Sequence, residues 1–143
     1  MFLKKKRQKF KKSTADKWFS IYIRVRDIIE GSHGFCRCIT CNTAHHWKEG
    51  DCGHFQTRDN PMTRFDERNS NFQCTACNRF KKGNQYKHGK VIDRIYGEGT
   101  ADILEGLAGA RGTKVHGEMA LKDIAKEFRL KAKEMAKKKG VKL

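Results

Sequence analysis

Four cysteines fall in two CxxC knuckles, Cys38-Ile39-Thr40-Cys41 and Cys74-Thr75-Ala76-Cys77, with Gly53-His54-Phe55 between them. A CxxC turn presents two thiolates from one point of the chain. Two such turns complete the tetrahedron that closes a structural zinc site. The knuckles stand further apart than in a short zinc ribbon, so a module carrying His54 has to fit between them. Redox CxxC motifs occur singly beside a βαβ pattern, which this chain lacks, so zinc is the better reading. Cys36 and Cys52 are left over. Cys36 is close enough to compete as a ligand, but a spare cysteine is more often a small buried hydrophobe. His33, His45 or His46 would replace a sulfur only if one of the four cysteines failed to bind.

A metal clip of this kind holds His54, Asn69 and Asn78 near one another. Hydrolysis of a phosphodiester needs a base that activates water and a cation that takes up charge on the phosphate and the leaving oxygen. His54 is the candidate base. Gly53 before it allows a tight turn, and Phe55 after it can anchor the strand. Asn78 directly follows the second knuckle, and its amide oxygen suits a hard ion such as Mg2+. Asn69 can hold the loop that carries His54. A lone histidine or asparagine in a loop is commonly a packing or turn residue. Here the order of the three against the knuckles carries the signal.

The runs Gly53-His54-Phe55, Thr63-Arg64-Phe65-Asp66-Glu67-Arg68-Asn69 and Gln73-Cys74-Thr75-Ala76-Cys77-Asn78 resemble the lambdoid phage NinG/Rap recombination nucleases. Trp47-Lys48-Glu49, Gly83-Asn84-Gln85-Tyr86, Asp93-Arg94-Ile95-Tyr96-Gly97 and Gly99-Thr100-Ala101 fit the same pattern, so the likeness spans roughly residues 17–105. The resemblance implies the HNH, or ββα-metal, nuclease class and action on branched DNA such as Holliday junctions and displaced strands. It implies His54 as general base, Asn69 as the middle HNH residue and Asn78 as the last position and a metal ligand. Cys38, Cys41, Cys74 and Cys77 would hold structural Zn2+, and the catalytic ion would be Mg2+ or Mn2+. One departure stands out. Many HNH enzymes carry an aspartate where this chain has Gly53. Asp51, Asp66 and Glu67 are nearby substitutes, and Asp51 ranks first because it shares the hairpin with His54.

The elements that must position these residues are short. With 143 residues, 37% apolar and 34% charged, the chain has room for one small core that benefits from a metal staple. The expected class is α+β: a small ββα-metal (HNH-like) core with a structural four-cysteine zinc site, flanked by an N-terminal helix and C-terminal helices. Residues 1–14 read as a basic flexible arm, 15–112 as the zinc-stapled domain and 113–143 as a basic C-terminal helix. Ser13 and Asp16 have the spacing of a capping box. Trp18, Tyr22, Val25 and Ile29 then recur at helical period, which predicts a helix over 15–30 ended by Gly31 and Gly34. Alternation at Phe19, Ile21, Ile23 and Val25 argues instead for a strand, but the cap and the length favour helix. Further helices are expected over 86–96 with Val91, Ile92 and Ile95 inward, after a Thr100 cap with Ile103, Leu104 and Leu107, and over 117–139. The last carries a stripe of Leu121, Ile124, Phe128, Ala132 and Met135 that packs on the core or on a partner helix.

Thirty-two Lys+Arg against 16 Asp+Glu leave a net charge of +16, which selects a polyanionic partner, most simply nucleic acid. Arg58, Arg64, Arg68, Arg79, Lys81 and Lys82 cluster around the catalytic module and are the candidate DNA contacts. Phe2, Phe10, Trp18, Phe80 and Tyr86 are interleaved with base and can stack on unpaired bases, although core packing is the commoner fate of Trp18. No apolar run approaches the about 18 residues of a membrane span, and the basic N-terminus lacks the apolar stretch of a signal peptide. A cytoplasmic protein without a membrane partner is expected. Two symmetric cuts at a junction call for a homodimer. The rival functions are a zinc-stabilised DNA-binding module without catalysis and an HNH nuclease of ordinary duplex.

Overall fold

The computed structural model describes residues 12–110 and 115–143. Residues 1–11, which hold most of the expected basic arm with Phe2 and Phe10, and residues 111–114 lie outside that range. Helix α1 (Thr14–Arg26) opens as the sequence indicates, with Ser13 as its cap. The Ser13 backbone N–H donates to Asp16 Oδ2 at 2.7 Å, and the Asp16 N–H donates to Ser13 Oγ at 3.3 Å. The helix stops earlier than the glycines suggest. Ile28 already pairs with Cys36 in an isolated bridge, and the Ile29 N–H donates to the Phe35 carbonyl at 2.9 Å. Ile29 is consequently exposed, and the buried side of α1 runs through Ala15, Phe19, Tyr22, Ile23 and Val25 instead. Trp18 is half-buried at the edge of that cluster.

Two antiparallel hairpins follow. Strand β1 (Phe35–Arg37) pairs with β2 (Ala44–His46), and β3 (Gly50–His54) with β4 (Ser70–Cys74). In the second hairpin Cys52 faces Phe72 and His54 faces Ser70. Side chains alternate between faces of a strand. One face, with Phe72, packs with Val25 and Ile28 at the end of α1. The other carries Gln73 and Asn71, which meets the buried His88 of helix α2 (Gln85–Tyr96) at 3.1 Å.

Of the apolar residues expected to point inward from α2, Ile92 is fully buried, Val91 is half-buried and Ile95 is exposed. Helix α3 (Thr100–Ala108) is capped by Gly99, not by Thr100. Thr100 is its first residue, and its hydroxyl donates back to the Gly97 carbonyl at 2.7 Å. Leu104 alone of its apolar trio is fully buried, against Phe55 and Ile92. Only one face of a short helix can meet this small satellite core, so Ile103 stays outside.

Helix α4 (Glu118–Lys139) packs on α1. Its stripe is core: Phe128 meets Phe19 edge-on at 4.9 Å, and Ala132 is fully buried beside it. Lys137 and Lys138 stay exposed in the last turn, where cations suit the negative end of the helix dipole. Among the described residues, no helix is long and apolar enough to cross a membrane.

Candidate metal centre and phosphate cleft

The sulfurs of Cys38, Cys41, Cys74 and Cys77 all lie within 4.8 Å of one another. The Cys41–Cys74 pair is 3.7 Å apart. A tetrahedron with Zn–S bonds of about 2.3 Å has edges of about 3.8 Å, so the four thiols fit zinc closely. Burial raises the Cys38 thiol, but the Thr40 hydroxyl and nearby backbone amides outweigh it and bring the thiol down to about 6. Burial and the neighbouring cysteines push the Cys74 thiol up to about 12 instead, as expected where four sulfurs crowd together, and a bound zinc would take all four as thiolates. Cys36 is absent from the cluster. It is fully buried among Val25, Trp47 and Phe72, and its thiol donates to the Arg24 carbonyl at 3.3 Å. Cys52 packs against the Phe19 cluster.

His54 closes β3, and its ring lies 5.7 Å from that of Phe19 on α1. Its Nε2 is 3.1 Å from the Arg64 carbonyl oxygen. A carbonyl only accepts, so Nε2 donates to it and in the neutral ring Nδ1 is the basic nitrogen, with the Cys52 backbone also acting on the ring. Burial pushes the imidazole down to about 4, against the pull of the Arg64 carbonyl, so the ring is neutral at pH 7. Asn69 is fully buried and braces the loop that leaves His54. Its Oδ1 accepts from the Gln56 N–H at 2.8 Å, and its Nδ2 donates to the Gln56 and Thr63 carbonyls at 2.9 and 3.2 Å.

Gly53 does not make a turn. It lies inside β3, and a Cβ there would come within 2.9 Å of the Gln73 Cβ and closer still to the Gln73 amide. Gln73 is fully buried and donates to Thr40 Oγ1 at 3.1 Å and to the Gly83 carbonyl at 2.8 Å. It thereby ties the first knuckle to the turn beyond the second. An aspartate at position 53 would displace that tie, which is the physical reason for the missing carboxylate.

Two adjoining clefts of about 390 and about 280 Å3 share His54, Cys52, Arg58 and Asn78. The larger also takes in Asp51, and it contains neither Asp66 nor Glu67. Asp66 is held by Arg68 at 2.7 Å, and Glu67 faces Lys131 at 3.4 Å. Asp51 accepts from Asn78 Nδ2 at 3.1 Å and from Arg79 at 2.9 Å. The cleft is lined by four cations, Lys12, Arg24, Arg58 and Arg79, against the carboxylates of Asp16 and Asp51, which favours an anionic ligand.

The clustered basic residues separate on folding. Arg58 and Arg79 line the larger cleft and Lys82 the smaller, while Lys81 is exposed beside them. Arg68 lies away from both. Arg64 is no surface contact. It is 7% exposed and grips Asp16 through Nε at 3.0 Å and Nη2 at 2.6 Å. Its backbone carbonyl holds His54 while its side chain fixes the loop to α1. The reading by charge alone missed this, and it missed the wall made by Asp16, Ser20 and Arg24. Their spacing of four along an amphipathic helix was the available signal. Arg24 donates to the Ser20 carbonyl at 3.2 Å and to the Trp47 carbonyl at 3.2 Å.

Asp16→Asn should lower stability by about 3–5 kcal/mol, because it leaves the Arg64 charge buried without a counterion. Burial raises the Asp16 carboxyl, but the Arg64 guanidinium and Ser13 hold it below its ordinary value of 3.8. Its contribution is therefore complete above about pH 4 and disappears as pH falls through the lower native value. Urea midpoints of the two proteins at pH 7 and pH 3 check both statements.

Residues 2–139 match the family described as Bacteriophage Lambda NinG protein. Protein ninG of Escherichia phage 933W is 40% identical over 72 residues, covering 48% of this chain and 34% of that protein. Protein ninG of Salmonella phage P22 is 37% identical over 71 residues, covering 48% and 34%. That of Escherichia phage lambda is 39% identical over 72 residues, covering 48% and 33%. The matched part thus spans about a third of the length of these relatives. No solved structure matches the chain. With residues 2–139 of its 143 matched, the chain belongs to the Bacteriophage Lambda NinG family.

Proposed function

We propose that this protein is a structure-specific endonuclease that cuts Holliday junctions and other branched DNA by metal-assisted hydrolysis during phage recombination, in the bacterial host's cytoplasm. The observation that carries the reading is His54: a neutral imidazole, one nitrogen fixed by the Arg64 carbonyl, in a cleft lined by four cations. Its Nδ1 takes the proton of the attacking water. Arg58, Arg79 and Arg24 hold the phosphate, Arg being suited to paired contacts with its oxygens.

Asn78 and Asp51 would hold the Mg2+ or Mn2+. The Asn78 amide nitrogen stands 3.1 Å from Asp51 Oδ2. An ion there would be held by the Asp51 carboxylate and the Asn78 amide oxygen, ligand types that suit a hard cation. When bound, the ion supplies charge for the developing phosphate and leaving oxygen. Asn69 keeps the His54 loop in place, and the cysteine cluster holds zinc as frame. A homodimer would place two such clefts on the two symmetric strands of a junction.

The test is cleavage of a labelled four-way junction and of a linear duplex of the same sequence, with Mg2+ or Mn2+ added. The junction is expected to be cut and the duplex spared. Equal cutting of both would make this a nuclease of ordinary duplex. No cutting of either would leave a zinc-stabilised binding module.

A further inference from the structure

A second cationic groove lies beside the first knuckle. It occupies about 530 Å3 between the β1 end and α2, and its lining includes Arg37, Thr40, Lys87, Lys90 and Arg94. Among the described residues, no carboxylate lines it. Lys87, Lys90 and Arg94 recur at i, i+3 and i+7, so they share one face of α2. All three are exposed, as is Arg37. Among the described residues none of the four makes an ion pair. Arg37 donates to the Asn42 carbonyl at 3.1 Å, and Lys90 lies 4.5 Å over the Tyr86 ring. Both contacts orient a cation without neutralising it. Four like charges held together repel one another and persist most easily where an anion compensates them.

We infer that this groove binds the phosphodiester backbone of DNA beyond the segment held in the cleft. The dimensions suit that ligand. Lys87 to Arg94 covers about 10 Å of helix, and a strand of B-form DNA presents a phosphate every ~3.4 Å along its axis. The groove and the His54 clefts have a common brace. Gln73 donates to Thr40, which lines the groove, and to the Gly83 carbonyl, which belongs to the smaller cleft. The knuckle therefore holds the two anion sites in a fixed relation, which is how a protein without base-reading contacts selects the shape of a branched substrate. This inference rests on the proposed branched-DNA reading for its ligand, but not on catalysis.

The test is equilibrium binding of the full chain with its zinc, without added Mg2+ or Mn2+, to a four-way junction and to a linear duplex over a range of salt. The triple variant Lys87→Gln, Lys90→Gln, Arg94→Gln is compared with Lys126→Gln, Lys133→Gln, Lys137→Gln, which removes equal charge from exposed positions of α4. Affinity should fall at least tenfold in the groove variant, and the slope of log K against log salt should drop by about 2.7, or about 0.9 per lost contact. A loss confined to the junction assigns the groove to a second arm, and a loss on both substrates assigns it to a continuing duplex. Either supports the inference. Unchanged binding, or an equal loss in the α4 variant, overturns it and leaves the groove to another polyanion such as an acidic protein surface. If the wild type cuts nothing while binding still depends on the triplet, the nuclease reading fails and the groove stands. A wild type that binds no DNA sinks both.

Discussion

His54→Ala should lower the single-turnover cleavage rate by about 10²–10⁴-fold, the usual contribution of a positioned general base. Zinc content and junction affinity should not change, because His54 is neither a member of the sulfur cluster nor a charged contact. Cleavage at the wild-type rate would end the assignment of His54 as base. The pH dependence gives a second reading. A histidine lowered by burial to about 4 stays unprotonated through the range where a solvated one titrates near 6.5. The rate should therefore be flat in its dependence on this group from about pH 5 to 8. An acid limb centred near 6.5 would show that His54 is solvated and not held as described. The same burial has a consequence for stability. His54 and His88 are both lowered to about 4, so the unfolded chain binds protons more readily than the native one below about pH 6.5. Their contribution is complete above about 6.5 and is lost as pH falls toward about 4.

Removing the metal clip should have the largest effect on the fold. Structural zinc contributes about 10–16 kcal/mol in small metal-folded units, which equals or exceeds the about 5–15 kcal/mol net stability of a typical domain. Cys74→Ser, or a strong chelator, should therefore unfold the hairpin that carries His54 and abolish binding and cleavage together. Cys74 ends β4 in register with Gly50, so its sulfur anchors the strand opposite His54. Circular dichroism melts with and without chelator, alongside a zinc determination of one ion per chain, check this. Cys36→Ser should keep its zinc, since that thiol belongs to the α1 core. A Cys74→Ser protein that melts like wild type would show the cluster is not the staple.

Local chemistry made part of this molecule readable. The knuckles are spaced by a turn that only needs its own four residues, and the four sulfurs meet as the spacing indicates. The Ser13–Asp16 box starts α1 for the same reason: donor and acceptor lie within one helical turn. The α4 stripe was legible because an amphipathic period records which face has to be covered, although not what covers it.

What covers it was decided by packing. The choice of Phe19 and Ile23 over Trp18 and Ile29 depends on α1 being enclosed by α4 on one side and the β3–β4 hairpin on another, two partners far away in sequence. Charge composition could not tell Arg79, on the rim of the cleft, from Arg64, because burial beside Asp16 is a contact across 48 residues. Gly53 is required by the Gln73 side chain on the neighbouring strand, a constraint that exists only once β3 and β4 are in register. The sequence by itself determined the four-cysteine cluster, the Ser13–Asp16 cap and the residue types that can do chemistry, since these act over a few bonds or one turn. Tertiary structure alone decided which nitrogen of His54 meets the Arg64 carbonyl, which arginines line the cleft and that a second cationic groove lies beside the first knuckle. Those properties belong to surfaces that form only when distant segments meet.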